Sequence, residues 1–122
     1  MFRNANTAGA WTLDGNKIEF ASTVTDLYGA FMSSGLLKVC NKPFVQCTGI
    51  RFLNGAFYGN ALTVINDMGL ENIEKPTTYV QDAGYYVMAD WAFAHNSQLT
   101  YLPSSLFAIG DDGPPISANH MF

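Results

Sequence analysis

Apolar and polar residues alternate over short stretches of this chain, and most stretches end at Gly, Asn or Asp. Trp11 and Leu13, then Ile18 and Phe20, flank Asp14-Gly15-Asn16. That pattern predicts a β-hairpin, because Asp-Gly supplies the positive φ that tight hairpin turns need. Ile50 to Leu53, Asn54-Gly55 and Ala56 to Tyr58 predict a second hairpin, with Asn54 and Gly55 both at positive φ. Further short strands are predicted at 36–40, 44–48, 61–65, 77–81, 99–102 and 106–109. Residues 66–75 are polar and predict one helical turn before Pro76. Residues 85–95 have a strict period of two through Tyr85, Val87, Ala89, Trp91 and Phe93, which favours a strand over a buried helix.

One stretch changes period. Val24, Leu27, Tyr28, Phe31 and Met32 follow a helical stripe. Thr23 with Asp26 makes a capping pair, and Gly35 stands where a C-cap belongs. The spacing predicts an amphipathic helix near 23–34. The whole pattern predicts a mainly β domain of about eight to ten short strands, a β-sandwich or barrel-like fold, with α+β as the fallback. A single domain over 1–122 is expected, with an N-terminal arm at 1–10 and a C-terminal tail at 113–122. No internal repeat is read.

Composition sharpens this picture. Six Lys or Arg and ten Asp or Glu face 17 aromatic residues (9 Phe, 6 Tyr, 2 Trp). An average domain of this length carries roughly 30 charges. A folded monomer of this mass exposes on the order of 6,500 Å². So few charges leave apolar surface unmasked, which predicts that part of the surface is covered by other protein. The net charge of −4 and six scattered cations exclude phosphate-driven nucleic-acid binding. The first residues lack the apolar core of a signal peptide, and no run approaches a membrane span. No membrane is therefore expected as a partner, and outside a particle the location reads as cytoplasmic.

Candidate chemistry is thin. Cys40 and Cys47 read as two reduced, buried thiols, with a disulfide or a metal site as the alternatives. Asp67, Glu71 and Glu74 lie at helical spacing and read as a solvated turn rather than a cation site. Asp111-Asp112-Gly113 reads as a turn before Pro114-Pro115 rather than a calcium loop. His95 and Asn96 near Asp90 lack a nucleophile and an oxyanion hole, so a rim histidine is the better reading. No catalytic, cofactor-binding or metal-binding residue is assigned, and the chain is not expected to be an enzyme.

Together these features point to a structural assembly protein that works as a homo-oligomer within a larger protein particle. A viral or phage virion component fits, such as a head-decoration, cement, tail or spike subunit located in the virion. The contact residues expected are Phe2 and Arg3 in the arm, Tyr86, and Ile116, His120, Met121 and Phe122 in the tail. The alternative is a carbohydrate-binding module using exposed aromatics. A small hydrolase ranks third.

Overall fold

The computed structural model describes residues 11–73, 87–103, 106 and 116–122. It is strand-dominated and nearly free of helix. The strands are β1 (Trp11–Asp14), β2 (Leu36–Cys40), β3 (Val64–Ile65), β4 (Val87–Met88) and β5 (Ile116–Ser117). Every described strand pair is parallel. Parallel neighbours need a long crossover, and here the crossover is one turn of a coil. Thr12 pairs with Lys38 and Lys38 with Val64, each 26 residues further on. On a second face Asp26 bridges Phe52, Phe52 bridges Met88, and Met88 pairs with Ser117. The chain winds as a β-solenoid whose successive coils lie one strand spacing apart, about 4.8 Å.

The expected sandwich or barrel of hairpins is therefore not what the described strands make. The turn after β1 does form, with the Lys17 and Ile18 amides donating to the Asp14 carbonyl. It turns a corner within the coil instead of folding β1 back on itself. The turn at 53–56 does the same: Ala56 N–H donates to Leu53, while Leu53 N–H donates to Met88 of the next coil. Only Gly55 has positive φ there, and Asn54 does not.

The helix expected near 23–34 is absent for a related reason. Phe31 N–H donates to Ala56 at 2.8 Å, not to Leu27 four residues back. Leu27, Gly29, Phe31 and Ser33 each donate outward to the next coil. Between them, Ala30 and Met32 close tight turns onto Leu27 and Gly29. Two consecutive turns bring Leu27 and Phe31 to the same inward face. A four-residue spacing normally signals a helix, but here it comes from paired turns. A 3-10 turn at Leu70–Asn72 matches the one turn expected within 66–75.

The arc over 27–34 recurs, so the chain does contain an internal repeat. Leu27-Tyr28-Gly29-Ala30-Phe31 is followed by Leu53-Asn54-Gly55-Ala56-Phe57 and Ala89-Asp90-Trp91-Ala92-Phe93. The same ladder joins the arcs: Gly55 donates to Asp90, Phe57 to Ala92, Trp91 to Asn119 and Phe93 to Met121. The second spacing is 36 rather than 26, and the ten extra residues fall between Ile73 and Val87. Unequal spacing hides the period from a search at fixed intervals.

Stacked coils place like residues in columns. Phe31, Phe57, Phe93 and Phe122 stack with centroids 5.2, 5.2 and 5.5 Å apart, and the first two pairs are parallel to within 6°. Ala30, Ala56, Ala92 and Met121 form a buried column beside them. Ser34, Asn60 and Asn96 form a buried polar column. The Asn60 amide nitrogen donates to Phe31 in the coil before and to Phe57 in its own. Its oxygen accepts from the Ser34 and Leu36 amides. Asn96 repeats the arrangement on Phe57, Phe93 and Leu62. Each asparagine thereby satisfies inward-facing backbone groups at a corner that no ladder bond reaches.

Gly15 is fixed by this stacking. A Cβ there would lie 1.8 Å from the Asn41 carbonyl oxygen of the next coil.

Candidate functional site

The contact residues expected from the sequence do not gather in one place. Phe2, Arg3 and Tyr86 lie outside the described residues. Ile116 lies in β5, paired with Val87. Met121 is buried in the alanine column, so it belongs to the core. His120 is exposed and stacks on Trp91 at 4.7 Å. Phe122 is 60% exposed and stacks on Phe93 at 5.5 Å.

Both cysteines are buried and unpaired. Cys47 faces the Phe20 and Ala21 carbonyls, and burial raises its thiol above the usual range. Asp67 and Glu71 bracket the Lys42 ammonium at 3.3 Å each, so the acidic turn pairs with the neighbouring coil. Glu74 and the Asp111-Asp112-Gly113 turn fall outside the described residues. Asn96 is consumed by the interior ladder, which removes it from any pairing with His95 for chemistry. His95 lies exposed against Tyr58 instead. Among the described residues no three His, Cys, Asp or Glu side chains gather to hold a metal. Among them, too, no helix is long and apolar enough to cross a membrane.

Two surfaces remain. The first is a depression of about 470 Å³. Phe93, Asn96, Leu99, Thr100, Tyr101 and Phe122 are among its walls. Tyr101 and Leu102 are 53% and 41% exposed there.

The second surface is a cleft of about 350 Å³ on the flank of the solenoid. Tyr28, Asn54 and Asp90 occupy equivalent positions of three successive coils, and all three line it. Tyr58 and Trp91 complete its aromatic walls. Asp90 is held in place: its Oδ1 accepts from the Ser117 hydroxyl at 2.7 Å and the Asn119 amide at 2.9 Å. The Asn54 side-chain oxygen is buried with no hydrogen-bond donor.

The sequence reading places Trp91 in the alternating stretch 85–95 and Asn54 in a hairpin turn, neither of them at a site. Tyr28 was assigned to a helix stripe, yet it is 66% exposed. The available signal was the repeat itself: aligning the three arcs puts residues 28, 54 and 90 in one column.

No family model, no curated protein and no solved structure matches this chain.

Proposed function

We propose that this chain is a structural assembly protein, a rigid solenoid segment of the kind a virion spike or tail subunit requires. The observation that carries the reading is the exposed apolar surface around the depression bounded by Leu99, Tyr101 and Phe122. Tyr101 and Leu102 are 53% and 41% exposed there. Contiguous apolar surface of this kind marks contact with other protein. A second copy seated against it covers these side chains. The sparse charge of the chain agrees, since a permanently covered subunit needs little charge of its own.

Light scattering on the purified chain tests this. Self-association is expected, with Phe122→Asp shifting the population toward monomer by placing a charge in the covered face. A monodisperse monomer at high protein concentration would remove the proposal.

A further inference from the structure

The flank cleft shares no lining residue with the depression beside Tyr101. Trp91 is its most informative residue. It has φ 61°, in the left-handed region. The equivalent positions in the two preceding coils are Gly29 and Gly55, with φ 58° and 60°. Glycine takes that conformation freely, whereas a bulky residue is strained there. His120 takes the same place in the following coil with φ 51° and stacks on Trp91 at 4.7 Å, so two ring-bearing residues accept left-handed backbone where the first two coils use glycine. The Trp91 ring is 45% exposed, so the core does not explain it. Strain of this sort concentrates at functional positions.

The surroundings suit one ligand chemistry. Tyr28 and Trp91 stand two coils apart along the axis, about 10 Å by strand spacing. Tyr58 comes from the coil between them. Aromatic faces present apolar surface with little conformational freedom to lose. Between them sits the Asp90 carboxylate, its Oδ1 fixed by the Ser117 hydroxyl and the Asn119 amide. Among the described residues no Lys or Arg lines the cleft.

We infer that this cleft binds a neutral saccharide chain lying parallel to the solenoid axis. Pyranose C–H faces stack on Tyr28 and Trp91, and hydroxyls donate to Asp90. A carboxylate with no cation beside it among the described residues disfavours uronic acids and phosphorylated sugars.

An array of linear oligosaccharides tests this with the intact chain, with neutral and uronate-containing members and choline chloride as a competitor. Retention of neutral members is expected. Trp91→Gly restores the residue that two other coils use, so the fold is kept. It should weaken binding at least tenfold, and Tyr28→Ala should do the same. Tyr101→Ala removes an exposed ring outside the cleft and should change nothing. Circular dichroism on each variant confirms folding. Three results would each overturn the inference: no neutral member retained, retention indifferent to Trp91 and Tyr28, or retention of uronates alone. Displacement by choline would mark the rings as an ammonium cage and would equally overturn it. None of these outcomes depends on the oligomeric state, so the assembly proposal is tested separately.

Discussion

Gly55 and Asn54 are adjacent in a sequence that reads as one turn, yet they do different things. Gly55 holds φ 60°, and a Cβ there would stand 3.1 Å from the Met32 methyl. Left-handed backbone costs a Cβ-bearing residue roughly 1–2 kcal/mol. Gly55→Ala is therefore expected to destabilise by at least about 1 kcal/mol in urea melts. Asn54 lies outside the left-handed region, and its side-chain oxygen has no donor. Asn54→Ala removes an acceptor that makes no hydrogen bond and should change stability by less than about 0.5 kcal/mol. Sequence reading alone places the cost at Asn54, because Asn-Gly suggests a two-residue hairpin turn. Equal costs for the two variants would contradict the corner geometry.

At the scale of the arc, the polar column does what a strand ladder cannot. Backbone groups at a corner point inward, and the Asn60 amide supplies both donors and acceptors for them. Each buried partner left unmade costs roughly 1–3 kcal/mol. Asn60→Ala orphans several at once and is expected to cost about 3 kcal/mol or more. Asn60→Asp should cost more still, because a carboxylate oxygen would face the Phe31 and Phe57 carbonyls. Hydrogen exchange at the Ser34 and Leu36 amides reads the effect locally: both should speed up in either variant. Unchanged exchange would mean that the amide is incidental to the corner. The arc is also where sequence legibility divides. The turn residues were legible in part: Gly55 marks a real corner, whereas the corner at Gly29 lay hidden inside the expected helix. The β character and the buried cysteines were legible as well. What each corner connects was not, because a turn looks the same whether it closes a hairpin or bends a coil. Only the recurrence of Ala-Phe after a left-handed residue separates the two, and the ten additional residues before β4 obscure it.

The whole molecule is held differently along its length. Inside, aromatic and asparagine columns join the coils without ionisable groups. At the Asp14 corner the joints are polar and exposed. Asp14 of the first coil accepts from the Asn41 amide of the second at 2.8 Å. Lys42 of the second coil meets Asp67 and Glu71 of the third. The Asn41 hydrogen bond, then the Asn16 amide, holds the Asp14 carboxyl below its usual value. A carboxyl lowered in the folded state stabilises it above the unfolded pKa, and that stability is lost as pH falls through the folded value. Lys42 runs the other way. Glu71, then Asp67, raises its pKa, so its contribution is complete below the ordinary lysine value and fades as pH rises beyond it. Because these groups are exposed, solvent screening keeps both effects small. Thermal melts across pH should show a plateau through neutrality with a shallow fall on the acid side. Asp14→Asn cannot titrate, so its melting temperature should vary less over the acid range than that of the parent chain. In solenoids each coil contacts only its neighbours. The acid-induced loosening should therefore begin at the first coil, seen as faster amide exchange in β1 than in β4. An acid fall that Asp14→Asn leaves intact, or that starts in the third coil, would assign the pH sensitivity to other carboxylates.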